Sequence, residues 1–169
     1  GDLTVLALAK KPSAGIRHGY IVDSDETIGA LKEVLREASQ AAGVKIKRAI
    51  LGIGGAGLAT YSSSGSVVIS RADSEVAEFD INRAVSVSES PVASKANLKI
   101  IHTIPQEFKI DGKKIIGKPI GNCGSRLEVR TLFITTQPAH FKELMAVCAG
   151  AGLEVEDVFA SPVAEAAVA

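Results

Sequence analysis

The segment from Leu98 to Val129 restricts the possible folds of this chain more than any other stretch. Its first part, up to Asp111, is rich in β-branched residues and favours a strand. Pro105 lies inside this part and cannot donate to a β-ladder, so we expect the strand to be interrupted there. Glycine, proline and lysine dominate residues 112–124 and indicate a long turn, and alternating apolar residues over 126–135 predict another strand.

The rest of the chain predicts helices and strands in mixed order. Asp23 and Glu26 have capping-box spacing, apolar residues follow with a helical period, and Gly43 supplies a stop. Further helices are predicted over 78–88, over 138–150 and from residue 161 onward. Short strands are predicted over 3–9, 20–22, 46–53, 66–70 and 153–159, with a polar segment at 60–64 and a turn at Gly65.

This order predicts an α/β chain in which a strand-helix-strand-strand module interrupts a helix-and-strand framework. We place the framework at residues 1–70, the inserted module at 71–157 and a returning helix at 158–169. The apolar residues expected to form the core of the module are Ile100, Ile104, Leu127, Val129, Phe141 and Leu144.

Composition excludes several classes of function. The chain has 169 residues, 46% of them hydrophobic, with a net charge of zero. No basic excess indicates nucleic acid or an anionic membrane, and no apolar run approaches the roughly 18 residues that a membrane span needs. Cys123 and Cys148 are too few and too far apart for a zinc site or a disulfide scaffold, so a reducing cytoplasm is expected. Both ends interrupt apolar segments, and we expect a piece of a longer protein.

A glycine-rich run, Gly52 to Gly57, matches the G-x-G-x-x-G pattern of dinucleotide-binding enzymes. A helix should follow such a loop and place its N-terminus at the pyrophosphate. Residues 58–65 are instead serine-rich and without helical period. The run therefore favours a turn between two strands, and a dinucleotide-dependent enzyme stays the alternative from a different functional class.

The remaining charged and titratable residues give two hypotheses. His18, His102 and His140 lie in separate elements and lack metal-ligand spacing, so we expect structural roles. Lysines gather at the predicted turn and are either a solvated hairpin edge or a docking surface. The candidate protein-contact surface comprises Arg83, Lys109, Lys113 and Lys114.

The order of residues in the Leu98–Val129 segment resembles a signature of the FtsA family of bacterial cell-division proteins, which are relatives of the actin-like ATPases. The residues that carry the resemblance are Ile104, Pro105, Gln106, Glu107, Gly124, Arg126, Leu127 and Glu128. Nearly the whole chain is similar to the N-terminal part of that family. One departure is Ala77, which stands where the family often has threonine, so a weak helix cap is expected there.

The resemblance implies an incomplete actin-like, ribonuclease-H-like subdomain carrying the family's inserted module. It implies that ATP and Mg²⁺ are bound by the full-length protein through phosphate loops outside this chain, with little or uncertain ATPase activity, and that this chain holds no cofactor and is not itself an enzyme. It implies self-association and recruitment of division proteins, with FtsZ and the membrane contacted through segments outside the chain. The expected location is the cytoplasmic face of the membrane at the division septum. The nearest alternative is PilM, an actin-fold protein of pilus assembly.

Overall fold

The computed structural model describes residues 4–95 and 97–168, with the side chains of 165–168 excepted. The chain divides into two compact units. The first contains the residues up to Leu58 and from Gln137 onward, and the second contains Ala59–Thr136. In chain order the elements are β1 (Ile16–Arg17), β2 (Tyr20–Ile21), α1 (Ser24–Ala42), β3 (Arg48–Ile53), β4 (Leu58–Val68), α2 (Glu78–Ala93), β5 (Lys99–Ile110), β6 (Lys113–Ile115), β7 (Arg126–Thr136), α3 (Pro138–Gly150), β8 (Glu154–Ala160) and α4 (Ser161–Val168).

Helix α1 forms as the local sequence predicts. The Asp23 carboxylate accepts a hydrogen bond of 2.9 Å from the Glu26 amide, which satisfies one of the free donors of the first turn. At the other end Gly43 adopts φ 70°, a left-handed conformation that glycine reaches without strain. The capping and stop signals therefore define both ends of the helix.

The first unit is built on a parallel pair of strands. β3 and β8 run side by side in register from Arg48↔Glu154 to Ile53↔Ala160, with one shift after Ala49. Helices α1 and α3 contact each other in the same unit. Its buried apolar residues are Ile21, Ile53, Val147, Cys148, Leu153 and Ala160. The predicted strands at 20–22, 46–53 and 153–159 are confirmed with small changes of boundary.

The predicted strand at 3–9 is wrong for the residues that the structure describes. Residues 4–9 have no regular secondary structure, and Val5 and Leu8 are 84% and 88% exposed. Leu3 lies outside the described residues. A strand is stable only when its backbone groups find a neighbouring strand, and no strand in the described chain pairs with residues 4–9.

The second unit is a four-stranded sheet in the order β4-β7-β5-β6, with α2 packed on one face. Its core contains Val67, Ile69, Val76, Ala84, Ile110, Leu127 and Val129. Leu127 and Val129 are thus confirmed as core residues, whereas Ile100 and Ile104 are half-buried. Phe141 and Leu144 lie in α3 and belong to the first unit, so their assignment to this core is wrong.

The unit boundaries also differ from the predicted 71–157. Strand β4 bonds to β7, which places residues 59–70 in the second unit. Strand β8 bonds to β3, which places α3 and β8 in the first unit. Pairing between distant strands decides both boundaries, and the order of local patterns does not reveal it.

Strand β4 continues through the predicted turn at Gly65. A Cβ atom at this position would lie 2.0 Å from the Ala84 carbonyl oxygen and 2.6 Å from the Ser88 amide nitrogen. Glycine is therefore required by the close approach of α2, and it does not mark a chain reversal. Nearby, a buried hydrogen bond of 2.9 Å from Ser88 Oγ to Thr131 Oγ1 links α2 to β7.

Two further predictions in this unit need adjustment. Helix α2 ends at Ala93 rather than Ser88 and includes Pro91. Strand β5 is not broken at Pro105 but changes register, because Pro105 pairs with Thr131 and Glu107 pairs with Arg130. Gln106 is left as the extra residue of a β-bulge. The predicted long turn contains the short strand β6.

Candidate protein-binding surface

The signature residues near β7 shape the turn that closes the β5–β6 hairpin. Asp111 has φ 49°, and its Oδ1 atom accepts hydrogen bonds from the amides of Ser125 (3.2 Å) and Arg126 (2.9 Å). A Cβ atom at Gly124 would lie 2.1 Å from Ile110 Cγ2, so a side chain there would displace the end of β5. Gly124, Arg126 and the fully buried Leu127 therefore hold the hairpin in place.

Two of the three lysines of the candidate surface flank one carboxylate. Glu107 Oε2 lies 2.8 Å from Lys114 Nζ, and Glu107 Oε1 lies 3.5 Å from Lys109 Nζ. The hydrogen bond from Lys114 is the largest cause that lowers the pKa of Glu107. Lys109 pairs in register with Glu128 on the neighbouring strand. Lys113 has no ion pair within 4 Å among the described residues.

Arg83 lies apart from these lysines, on α2. Its Nη1 atom is 3.6 Å from Asp80 Oδ1, and its guanidinium is 5.6 Å from the centre of the Phe79 ring. Asp80 is buried and its other oxygen accepts from the Ala77 amide at 3.1 Å, which compensates for the missing side-chain cap at Ala77. The structure thus brings Lys109 and Lys114 together at Glu107, and it places Lys113 on the same hairpin but opposite Ile110. Arg83 belongs to the helix cap.

A groove of about 560 Å³ lies in the second unit between the start of α2 and the β5–β6 hairpin. Its lining is mainly apolar and includes Ile81, Pro105, Phe108, Ile115, Ile116 and Ile120. Ile116 is 97% exposed and Ile120 is 48% exposed. Sequence reasoning missed these residues, although an apolar Ile115–Ile116 pair among lysines was a usable signal. Large exposed apolar groups clustered beside a groove are typical of a binding surface.

The glycine run has the context of a turn. β3 ends at Ile53 and β4 begins at Leu58, so a strand, and not a helix, follows the glycines. Gly55 has φ 88°, and a Cβ atom there would lie 3.0 Å from the His18 carbonyl oxygen. The geometry that places a dinucleotide pyrophosphate on a helix N-terminus is not formed by this loop.

His140 is buried in the first unit, on the first turn of α3. Its ring is 4.8 Å from the Tyr20 ring, and its Cδ2 atom would lie 3.1 Å from a Cβ atom at Gly57. Both ring nitrogens are buried, and neither has a hydrogen-bond partner among the residues that the structure describes. Across the described residues no group of three His, Cys, Asp or Glu side chains has the geometry of a metal site. None of the helices in the described part of the chain is long and apolar enough to cross a membrane.

Comparison with known proteins matches residues 55–135 to the family model "SHS2 domain inserted in FTSA". The cell-division protein FtsA of Pseudomonas aeruginosa is 31% identical over 166 residues, which is 98% of this chain and 39% of that protein. FtsA of Bacillus subtilis is 28% identical over 168 residues, which is 99% of this chain and 38% of that protein. The chain therefore spans about two fifths of the length of these relatives.

Among solved structures, the chain is similar to one in a PilM–PilN type IV pilus biogenesis complex, with a TM-score of 0.54 and 11% identity. The match covers 91% of this chain and 39% of that one. At this identity the likeness concerns the fold alone, and the α/β class expected from the sequence agrees with the helices and strands of the structure. The matched residues 55–135 coincide closely with the second unit, 59–136, and the FtsA relatives align along both units. The chain is thus similar over nearly its whole length to part of the FtsA cell-division proteins, and its second unit matches the SHS2 domain that is inserted in FtsA.

Proposed function

We propose that this segment serves bacterial cell division as a protein-interaction module, through its SHS2 domain. The observation that carries the proposal is the exposed apolar and basic hairpin of a unit that matches the FtsA insertion. Its large apolar side chains are exposed and cluster beside a groove, which is typical of a binding surface. Its partners are other copies of the protein and further division proteins.

The proposal assigns nucleotide chemistry to other parts of the whole protein. ATP and Mg²⁺ would be held by segments outside this chain, and any ATPase activity of the whole protein would reside there. In support, the glycine run leads into β4, so it does not offer the convergent amides of a phosphate site. Calorimetry with Mg-ATP and with NADH should give no heat of binding to the 169-residue chain. A dissociation constant in the micromolar range or below for either nucleotide would contradict this assignment.

The proposal also places the protein at the cytoplasmic face of the division septum. FtsZ and the membrane would be contacted by segments outside this chain. The FtsA relatives are cell-division proteins, which supports a role of this chain in the same cellular process. A fluorescent fusion of the full-length protein should form a ring at midcell, and a diffuse signal in dividing cells would contradict the location.

Charge reversal at Lys113 tests the interaction surface directly. Lys113 has no ion pair within 4 Å among the described residues, so Lys113→Glu leaves the salt bridges of Glu107 intact. We expect weaker self-association of the full-length protein in sedimentation, because rim charges steer protein encounters in a salt-dependent way. Lys142→Glu is the matched control, since Lys142 is an exposed lysine on α3 in the first unit. Equal self-association of both variants and the unchanged protein, with normal recruitment of division proteins, would show that this surface is only solvated.

A further inference from the structure

We propose that the groove between α2 and β6 binds an extended segment of another protein, with apolar side chains in the groove and carboxylates at its rim. The inference rests on the proposed function, because it names the chemistry of the partner that the hairpin surface would take. Three independent features of the second unit support it: the shape and lining of the groove, the unpaired edge of β6 and the distribution of charge.

The groove offers a continuous apolar surface that is concave and open. Ile81, Phe108 and Ile115 are partly buried against the core and present their remaining surface to the groove. Ile116 and Ile120 extend this apolar surface to the rim, where Ile116 is 97% exposed. A volume of about 560 Å³ lies in the range of sites that hold small ligands or side chains. The concave shape fits inserted side chains and does not fit a flat lipid surface.

Strand β6 forms one wall of the groove and is the last strand of its sheet. It pairs with β5 through Phe108↔Ile115, Lys109↔Lys114 and Ile110↔Lys113, and with no other strand in the described part of the chain. An edge strand leaves N–H and C=O groups directed outward, and an extended segment can pair with them. Alternate side chains of a segment that is paired in this way point to opposite faces, so one row would enter the groove.

The charges at the rim favour an acidic segment. Lys113 and Lys118 have no ion pair within 4 Å among the described residues, and Glu107 is shared by two lysines. Residues 107–118 contain four lysines and two carboxylates, and the second carboxylate, Asp111, accepts hydrogen bonds from backbone amides. Glu78 adds one carboxylate to the groove lining. The four lysines of residues 107–118 therefore outnumber the three carboxylates Glu78, Glu107 and Asp111, and the partner that complements them carries Asp or Glu beside its apolar residues.

Selection of peptides from a phage library of random dodecapeptides, with the 169-residue chain as target, tests the proposal. Enriched sequences should alternate apolar residues with neighbours that include Asp or Glu. Fluorescein-labelled synthetic copies should bind in polarization assays, with an affinity that falls as salt is raised. Enrichment of basic or non-apolar sequences would overturn the assignment of partner chemistry.

Two variants separate groove binding from other contacts. Ile116→Glu changes a side chain that is almost fully exposed, so the fold should persist, and the peptide dissociation constant should rise about tenfold or more. Val68→Glu is the matched control, because Val68 is 61% exposed on β4, outside the groove, and binding should be unchanged. Equal binding by Ile116→Glu and the unchanged chain would overturn the site.

Peptides with N-methyl groups at alternate amides test strand addition. One of the two methylation patterns should abolish binding and the other should be tolerated, since only one row of amides faces β6. Tolerance of both patterns would overturn the pairing with β6. Pelleting of the chain with phosphatidylglycerol vesicles that depends on Ile116, without peptide binding, would overturn the proposal in favour of a membrane contact. Self-association that depends on Lys113 but not on Ile116 would refute the groove and leave the proposed function standing.

Discussion

Replacement of Gly65 by alanine tests the packing of α2 on the sheet of the second unit. The added Cβ atom would lie 2.0 Å from the Ala84 carbonyl oxygen and 2.6 Å from the Ser88 amide nitrogen. Both are backbone atoms, so the contact is relieved only when the helix moves away from β4. That movement would loosen the packing of Ala84, which is fully buried, and stretch the hydrogen bond between Ser88 and Thr131.

The size of the effect follows from these two losses. Overpacking of a core costs about 1–3 kcal/mol, and one buried hydrogen bond contributes about 1 kcal/mol. We therefore expect the unfolding free energy of the second unit to fall by about 2–4 kcal/mol. For a domain of this size, that corresponds to a decrease in Tm of roughly 10–30 °C.

Hydrogen exchange followed by mass spectrometry assigns the effect to one unit. Peptides from α2 and β7 should lose protection in Gly65→Ala, whereas peptides from α1 should keep it. Gly29→Ala is the matched control, because Gly29 lies within α1 with no atom within 4 Å of the added Cβ. That change should raise helix stability by about 1 kcal/mol. Unchanged protection of α2 in Gly65→Ala would refute the close contact between the helix and β4.

Three further outcomes can be measured. Leu127→Ala should lower the free energy of unfolding in urea by about 2–5 kcal/mol, because Leu127 is fully buried. Leu6→Ala, at a position 72% exposed, should change that free energy by less than about 0.5 kcal/mol. Similar effects of the two substitutions would contradict the assigned core. Lys114 lowers the pKa of Glu107 below its ordinary value of 4.5, so the pair stabilises the fold fully at a pH above 4.5, and this stabilisation is lost as the pH falls through the lowered pKa. Lys114→Gln should therefore reduce Tm at neutral pH. A difference in Tm between the variant and the unchanged chain that persists in strong acid would argue against the pair. His140→Leu removes two buried nitrogens that have no hydrogen-bond partner among the described residues, so the protection of α3 in hydrogen exchange should not decrease. A loss of stability above about 1 kcal/mol would show that His140 makes a hydrogen bond.

Elements with strong local signals were predictable from the sequence. Helix α1 has its capping carboxylate at Asp23 and its stop at Gly43, and both act within a few residues of the chain. The turn at the glycine run was also predicted correctly, because residues 58–65 lack a helical period. Two residues of the family signature, Gly124 and Arg126, lie at a turn in which the Asp111 carboxylate accepts from the Arg126 amide.

Features that depend on distant partners were not predictable. Gly65 has the local signal of a turn, and only the approach of α2 explains its place within a strand. The apolar residues from 4 to 9 have the pattern of a strand but no neighbour to pair with in the described chain. The groove was missed for a similar reason, because Ile116 and Phe108 are brought together by the hairpin and not by sequence spacing.

The hydrogen bond from Thr135 Oγ1 to the Ala59 carbonyl oxygen, 3.3 Å long, has a consequence for the order of folding. This bond joins the two ends of the second unit. The second unit lies between β3 and β8 along the chain. Each doubling of a loop adds about 0.6 kcal/mol to the entropic cost of closing it. A folded second unit with adjacent ends shortens the effective loop between β3 and β8. The parallel pair of the first unit should therefore acquire hydrogen-exchange protection after the second unit during refolding, and more slowly when Gly65→Ala delays that unit.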